Sequence, residues 1–344
     1  MERFYSFIVP VYNRPGELAE LLESMASQTY SNFEVVIIED GSVLRSDHLA
    51  KEYSGKLSIR YVDLPRSGPS LARNAGTRAA KGDYYIYVDS DCLLPADYLN
   101  TIDRFLENQP LDFFGGPDRA SENFSLTPKA ISYAMTSFLT TGGIRGGRKK
   151  IDRFYPRSFN MGVSRKAFEA VGGFPETRMH PGEDMVFSIE LINKGFTSGL
   201  IRDAYVYHKR RTTLGRFFKQ VFGFGKTRYI ISKVYPETFN LFFLAPSVFL
   251  AGSIVLVTLW LFFGFLFLLP LVMWAILVFL DATIRNGSFF TGFIAVIASF
   301  IQLYGYGSGF LCAWWSVTIR GRDQYGVFSK GFYPNRPQSN LSSL

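Results

Sequence analysis

Short apolar stretches alternate with amphipathic ones over residues 4–88 of the chain. The predicted strands are 4–9, 33–38, 57–64 and 84–88. Residues 33–38 are nearly continuous in apolar character, as expected of a strand that is buried on both faces. Between the first two strands, apolar residues at helical spacing predict an amphipathic helix: Leu18, Leu21, Leu22 and Met25. Residues 69–81 are rich in Ala and Gly and predict a second helix, one that can approach a sheet closely. Strands alternating with helices favour an α/β fold with a mostly parallel sheet covered on both faces.

The pattern is less regular between residues 100 and 230. Residues 159–163 predict a further strand, and 183–194 predict a helix with Gly195 just past its end, where glycine is favoured. The basic, glycine-rich segment 142–150 fits either a solvated surface loop or a lid over phosphates or lipid headgroups. Residues 214–230 predict a basic amphipathic helix, which fits a membrane-interface helix or a helix packed on the soluble core.

A long uncharged segment follows, because residues 241–280 contain no charged side chain. A helix of that length would measure about 60 Å, twice the roughly 30 Å hydrocarbon core of a bilayer. We therefore predict a helical hairpin that turns near 263–265. Residues 287–319 are also uncharged, so the membrane region has two or three helices. Three crossings would put the basic tail 320–344 outside, against the positive-inside tendency, and the sequence leaves both counts open.

The charge and the cysteine content indicate the cellular environment of the protein. The formal net charge of +8, combined with the uncharged C-terminal stretches, favours an anionic lipid surface over nucleic acid. Cys92 and Cys312 are far apart in different regions, so we expect no disulfide framework, which fits a reducing compartment. The first strand lacks a preceding basic segment and apolar core, so we expect no signal peptide. These features predict a multi-pass protein of the inner (cytoplasmic) membrane with its soluble domain in the cytoplasm.

Acidic residues stand where the predicted strands and helices end or begin. Asp40 and Asp89 follow strands, and ligands of open α/β sheets bind beyond such strand ends. Asp89 and Asp91 offer hard oxygen ligands suited to Mg²⁺ or Mn²⁺ bridging a diphosphate, although such pairs also cap strands. Asp184, at a helix start, could take a proton from an attacking hydroxyl. Arg73 fits either a diphosphate contact or a surface helix. Together these residues suggest sugar transfer from a nucleotide-sugar.

Seven motifs in a fixed order carry a family resemblance. They are Ile-Val-Pro-Val-Tyr-Asn at 8–13, Ser-Gln-Thr-Tyr at 27–30, Glu-Asp-Gly-Ser at 39–42, Leu-Ala-Arg-Asn-Ala-Gly at 71–76, Asp-Ser-Asp at 89–91, Gly-Gly-Phe at 172–174 and Gly-Glu-Asp at 182–184. With these motifs the chain resembles family 2 glycosyltransferases, which have the GT-A fold, over roughly residues 4–230. Two further motifs, at 222–226 and 304–307, look like the membrane-associated subgroup that assembles bacterial exopolysaccharides of the succinoglycan type.

The resemblance implies a role for each candidate residue. The nucleotide-sugar contacts would be Pro10, Tyr12, Asp40, Arg73 and Asp89. The metal ligands would be Asp91, Asp89 and His208, with a merely packed histidine as the equal alternative for His208. Asp184 would be the general base, and Glu183 would orient the sugar or the acceptor. The implied cofactor is Mg²⁺ or Mn²⁺.

The implied enzyme is an inverting, hexosyltransferase-type glycosyltransferase. It would move a sugar from a nucleotide-diphosphate sugar to a lipid-linked or growing glycan at the membrane, in cell-surface polysaccharide assembly. We expect a GT-A domain over 1–235, including an interfacial helix near 212–231, then a membrane region over 236–319 and a polar tail over 320–344. The Gln-x-x-Arg-Trp motif of processive synthases is absent after Gln220, which favours single additions.

Other functions remain as alternatives. Transfer to polyprenyl phosphate itself is the nearest one. A sugar nucleotidyltransferase is disfavoured, because the first turn, 11–15, lacks a glycine-rich loop. A non-catalytic membrane scaffold is disfavoured by the intact Asp89, Asp91 and Asp184. The sugar, the acceptor and the oligomeric state are left open by the sequence.

Overall fold

The computed structural model describes residues 2–119, 125–142, 154–177, 179–208 and 213–328. Most of the predicted loop 142–150 and residues 329–344 of the predicted tail lie outside these ranges. The described strands are β1 (Tyr5–Val11), β2 (Phe33–Asp40), β3 (Ile59–Leu64), β4 (Tyr84–Val88), β5 (Cys92–Leu93), β6 (Phe113–Gly115), β7 (Asp118–Arg119), β8 (Asn160–Ser164), β9 (Ser198–Leu200) and β10 (Val206–His208).

The described α-helices alternate with these strands and then follow them. They are α1 (Pro15–Ala26), α2 (Asp47–Glu52), α3 (Pro69–Ala79), α4 (Tyr98–Asn108), α5 (Leu126–Thr136), α6 (Phe138–Thr141), α7 (Arg165–Val171), α8 (Glu183–Asn193), α9 (Leu214–Val234), α10 (Ala245–Phe263), α11 (Leu269–Asn286) and α12 (Phe289–Trp314). Gly195 follows α8 with φ +85°, as the sequence predicted for the residue after this helix. The periodicity therefore located the main helices and strands to within a few residues.

The principal sheet has the strand order β3-β2-β1-β4-β8-β6-β9. Strands β1 to β4 are parallel, as their alternation with helices predicted. Strand β8 runs antiparallel to both of its neighbours, β4 and β6, so the complete sheet is mixed. Apolar clusters cover both faces of the sheet, which explains why the sequence of β2 is nearly continuous in apolar character.

A small second sheet, in the order β5-β10-β7, lies beyond the end of β4. In this sheet β10 pairs antiparallel with β5, which places His208 directly opposite Cys92. Because Cys92 follows Asp91 in the chain, this register brings a residue from the end of the domain to the acidic motif. The pairing joins positions that no local sequence pattern connects.

The C-terminal apolar residues form the predicted hairpin and one more helix. Gly264, with φ +96°, separates α10 from α11, so the predicted turn near 263–265 is confirmed. Three helical segments are long and apolar enough to cross a membrane: Leu241–Phe263, Phe265–Asn286 and Phe289–Ile319.

Helix α9, predicted as a basic amphipathic helix, packs against α12. Its Gly225 lies so close to α12 that an added Cβ would be 2.0 Å from the carbonyl oxygen of Tyr306. Conversely, a Cβ on Gly309 of α12 would be 2.1 Å from the carbonyl oxygen of Phe222. The two glycine-containing motifs, 222–226 and 304–307, therefore belong to one helix–helix contact, of the close kind that small residues permit.

Candidate active site

The site lies where β4 ends and the second sheet begins. Asp91 faces two cationic side chains: its Oδ2 accepts a hydrogen bond of 2.7 Å from the Nη1 of Arg14, and its Oδ1 is 3.2 Å from the Nε2 of His208. The His208 ring also stacks on Phe159, with 4.9 Å between the ring centroids. Burial by itself would raise the pKa of Asp91, but His208 and Arg14 outweigh it and hold that pKa at about 2. The carboxylate is therefore ionised throughout the physiological range.

These residues fit a hard divalent cation. Among the described residues, Asp91, Cys92 and His208 form a group whose potential ligand atoms lie within 4.8 Å of one another. The Oδ1 of Asp91 is buried, and despite its nearness to His208 it has no hydrogen bond of acceptable geometry within the described part of the chain. Burial raises the pKa of the Cys92 thiol well above its usual value, so it stays protonated and is a poor ligand. A carboxylate and an imidazole suit Mn²⁺ or Mg²⁺ when phosphate oxygens complete the shell.

Asp89, the other acidic residue of the motif, is held by a different partner. Its Oδ1 accepts a 2.9 Å hydrogen bond from the Nη2 of Arg73, and the Asp89 side chain is about one-third exposed. Arg73 is buried and also donates, through Nη1, to Oε1 of Glu183 at 3.1 Å. One guanidinium on α3 therefore links the end of β4 to the start of α8. This fixes the spacing between the acidic motif and the Glu183–Asp184 pair.

The two acids at the start of α8 have opposite environments. Glu183 is buried between Arg73 and His180, whose Nδ1 is 3.1 Å from its Oε2. Burial alone would raise the pKa of Glu183, but His180 and Arg73 lower it to about 2. For Asp184, burial and the neighbouring Glu183 charge raise the pKa instead. A partly buried carboxylate with a raised pKa is the better proton acceptor of the two.

Asp184 also retains room for an additional hydrogen bond. Its Oδ1 accepts from its neighbour's backbone N–H, that of Met185, at 2.8 Å, and its Oδ2 accepts from the N–H of Ser158 at 3.3 Å. A carboxylate has about four acceptor sites, so an incoming hydroxyl can still donate to it. The helix N-terminus favours the ionised form needed to accept the proton.

The predicted nucleotide contacts lie along the ends of β1 and β2. Asp40 accepts hydrogen bonds from the backbone N–H of Ser67 (2.6 Å) and of Gly68 (3.0 Å to Oδ2), so it anchors the turn before α3. Tyr12 is partly exposed, and the guanidinium of Arg66 lies 4.2 Å from its ring centroid. Pro10 is paired in β1 beside Ile38 and is partly buried.

Sequence reasoning missed two of these neighbours. Arg14 was noticed only as part of a turn, yet it pairs with Asp91. His180 precedes Glu183 by three residues, a spacing that could have suggested the contact. Of the three predicted metal ligands, the structure groups Asp91 with His208, while Asp89 is paired with Arg73.

Comparisons with known proteins give the family. Residues 6–172 match the model described as Glycosyl transferase family 2. Glycosyltransferase GlyA of Streptococcus pneumoniae is 41% identical over 96 residues, which are 28% of this chain and only 14% of GlyA. An uncharacterized glycosyltransferase of Haemophilus influenzae is 28% identical over 223 residues, covering 61% of this chain and 70% of that protein.

A solved structure supports the fold. Mannosyltransferase PcManGT from Pyrobaculum calidifontis, in complex with GDP-Man and Mn²⁺, superposes with a TM-score of 0.63 and covers 88% of each chain. The sequence identity is 18%, so this likeness concerns the fold, an α/β fold of GT-A type. With its family match and its mixed sheet flanked by helices, the chain carries a glycosyl transferase family 2 domain over residues 6–172, and it is a glycosyltransferase.

Proposed function

We propose that this enzyme moves a sugar, with inversion, from a nucleotide-diphosphate sugar to a lipid-linked or growing glycan at a membrane, in cell-surface polysaccharide assembly. One observation carries the proposal: the buried Arg73 joins Asp89 of the acidic motif to Glu183, beside Asp184, in a single network. A donor-binding group and a proton acceptor are thereby held at a fixed separation. Direct displacement needs this arrangement, because the acceptor hydroxyl and the leaving group act on opposite sides of one carbon.

In the proposed reaction, Asp184 takes the proton of the acceptor hydroxyl while the oxygen attacks the anomeric carbon. The bond to the nucleoside diphosphate breaks and the configuration inverts. Asp91 and His208 would hold the divalent cation, which, when bound, supplies positive charge to the departing diphosphate. Glu183 stays ionised between His180 and Arg73, so its role is to position rather than to accept a proton.

The donor's nucleoside would lie against the ends of β1 and β2. Tyr12 offers a partly exposed ring on which a base can stack. Asp40 would fix the backbone beside the nucleoside, because it holds the turn at Ser67 and Gly68. PcManGT, which shares the fold, carries GDP-Man and Mn²⁺, and this supports a nucleotide-sugar donor used with a divalent cation.

A donor screen tests this function. We expect one class of nucleotide-sugar to raise the Tm of the full-length protein in detergent when Mn²⁺ is present. Ligand at about 100 times its Kd stabilises a fold by about 2.7 kcal/mol. The shift should vanish in excess EDTA, and Glu52→Gln, on the exposed surface of α2, should behave as the unaltered protein does. If a folded sample neither binds nor hydrolyses any nucleotide-sugar in a broad panel, the proposal is wrong.

A second candidate, transfer to polyprenyl phosphate itself, is favoured by one cation. Arg228 on α9 stacks over Phe243 at the foot of the apolar hairpin, with 4.1 Å from its guanidinium carbon to the ring centroid. Its Nη1 is buried and has no hydrogen-bond partner within the described residues. A phosphate at the start of a membrane segment would satisfy that group.

One substitution distinguishes polyprenyl phosphate from a glycan as the acceptor. Arg228→Gln should lower transfer to polyprenyl phosphate roughly tenfold or more, since a hydrogen bond to a charged group contributes about 1.5–3 kcal/mol. Arg216→Gln, on the exposed side of the same helix, is the matched control. An equal loss with a neutral soluble glycan acceptor, or no product on polyprenyl phosphate at all, would argue against this candidate.

A further inference from the structure

The third apolar helix, α12, is held by the catalytic domain near both of its ends. Near its start, Ala295 shares an apolar cluster with Ala130 and Tyr133 of α5. At its end, Ala313 and the following Val317 share another cluster with three residues beside or on α8: Met179, Val186 and Ile189. A helix that crosses a bilayer must lose contact with a domain that stays on one side of the membrane. This helix stays against the domain along its length.

The middle of α12 is also one helix layer away from the active site. Its close contact with Gly225 occupies one side of α9. The opposite side of α9 meets the loop before Glu183, because a Cβ on Gly182 would lie 2.2 Å from Cγ2 of Thr227, and Thr227 donates a hydrogen bond to the carbonyl oxygen of Pro181. If α12 stood across the hydrocarbon core, the catalytic loop would enter it too.

The positive charges on α9 also argue against a bilayer-crossing α12. Residues 217 and 221 of α9 cluster with Ala298, and residues 230 and 231 cluster with Ala313, so the two helices run side by side in the same direction. Five cationic side chains are spread over about 26 Å of α9. They are Arg216, Lys219, Lys226, Arg228 and Lys233. A crossing α12 would carry one or more of them to the bilayer centre, where charged residues are strongly disfavoured.

Unlike α12, the α10–α11 hairpin is mostly not buried within the protein. Only 17% and 11% of the residues in its two most apolar windows are buried within the protein, against 44% for α12. Its tip is formed by large, exposed apolar side chains, including Phe263, Phe265 and Leu266. The hairpin does contact the rest of the protein: the hydroxyl of Ser247 donates to the carbonyl oxygen of Gly307 on α12, and on α11 Trp274 donates to the carbonyl oxygen of Leu139 while Asp281 accepts from Tyr133 of α5. Both hairpin helices nevertheless expose many large apolar side chains. Such a surface needs lipid around it.

We infer that the bilayer is crossed by the α10–α11 hairpin alone. Helix α12 lies at the membrane surface on the catalytic side, where α5, α8 and α9 hold it. Two crossings return the chain to its starting side, so Arg320 and Arg322 emerge beside the catalytic domain. This topology also agrees with the positive-inside tendency, which three crossings would violate.

Labelling of single cysteines tests the topology without any reliance on catalysis. In a Cys312→Ala background, where Cys92 is fully buried, three variants report three positions. They are Ser54→Cys on the domain surface, Leu266→Cys at the hairpin tip and Arg322→Cys in the tail. Each is reconstituted in sealed vesicles and exposed to a membrane-impermeant maleimide, with detergent-opened vesicles giving full labelling.

We expect the cysteines at 54 and 322 to share one sidedness and the cysteine at 266 to show the opposite one. If the cysteine at 322 instead follows 266, α12 crosses the bilayer and the inference is wrong. If 266 shares the sidedness of 54, the hairpin does not cross. A failure of sugar transfer would leave these outcomes unchanged, so the topology and the proposed function stand or fall separately.

Discussion

Replacing Asp184 with asparagine is expected to lower sugar transfer by at least about 10²-fold, the lower end of what general-base catalysis supplies. Asparagine keeps the shape of the side chain, and its carbonyl oxygen can keep the 2.8 Å hydrogen bond from Met185, but its amide nitrogen can neither accept from Ser158 nor take the acceptor's proton. Donor affinity should change little, because the predicted nucleotide contacts lie on other elements. Turnover with saturating donor, measured beside donor binding, checks the expectation.

The pH dependence gives the same assignment an independent readout. The pKa of Asp184 is raised by burial and by Glu183, so transfer should decline as the pH falls through that raised value. A carboxyl group whose pKa is raised by folding stabilises the fold below its unfolded pKa and loses that contribution as the pH rises. Removing the Asp184 charge should therefore stabilise the fold at neutral pH, which offsets the loss of the long hydrogen bond from Ser158 in Asp184→Asn.

Glu183→Gln is the matched control and should behave differently. The lowered pKa of Glu183 means that its ion pairs stabilise the fold above its unfolded pKa and lose that effect as the pH falls towards about 2. Removing this charge leaves Arg73 with one partner fewer, so the Tm should drop while each folded molecule retains more turnover than Asp184→Asn. Near-normal turnover of Asp184→Asn, together with a folded but inactive Glu183→Gln, would reverse the two roles.

The sequence predicted well those features that depend on local spacing. Strand β4 has the predicted bounds, 84–88, because a short apolar run between Asp83 and Asp89 has only one way to be buried. The hairpin turn at Gly264 was also predictable, since 40 uncharged residues cannot cross a bilayer as one helix. The parallel half of the sheet followed from strand–helix alternation.

Contacts between segments that are distant in sequence could not be predicted from local sequence patterns. The basic amphipathic pattern of α9 fits a membrane surface and a protein surface equally, and only its glycine contacts with α12 show how much protein surrounds it. The antiparallel entry of β8 depends on a chain path that periodicity does not encode. In the site, the sequence predicts Asp40 as a nucleotide-sugar contact, but its hydrogen bonds with Ser67 and Gly68 depend on the turn after β3, which the sequence pattern does not place.

Metal dependence should be as severe as loss of the base. We expect Asp91→Ala to abolish transfer, a fall of at least about 10³-fold, because a divalent cation contributes several kcal/mol to charge stabilisation and about 1.4 kcal/mol corresponds to tenfold. Asp203→Ala, at an exposed aspartate shortly before β10, is the control and should leave transfer unchanged. The fold should persist, since among the described residues the partners of Asp91 are two partly exposed cations, Arg14 and His208.

Direct Mn²⁺ binding separates this prediction from a general loss of activity. His208→Ala should weaken Mn²⁺ binding, measured by electron paramagnetic resonance in the presence of nucleoside diphosphate, and Asp91→Ala should weaken it further. The carboxylate contributes more because it supplies charge as well as a ligand atom, and its low pKa keeps it ionised without the metal. Asp89→Asn should affect donor affinity more than metal affinity, because Asp89 is held by Arg73. Full transfer in excess EDTA would show that the Asp91–His208 pair serves the fold and not a metal.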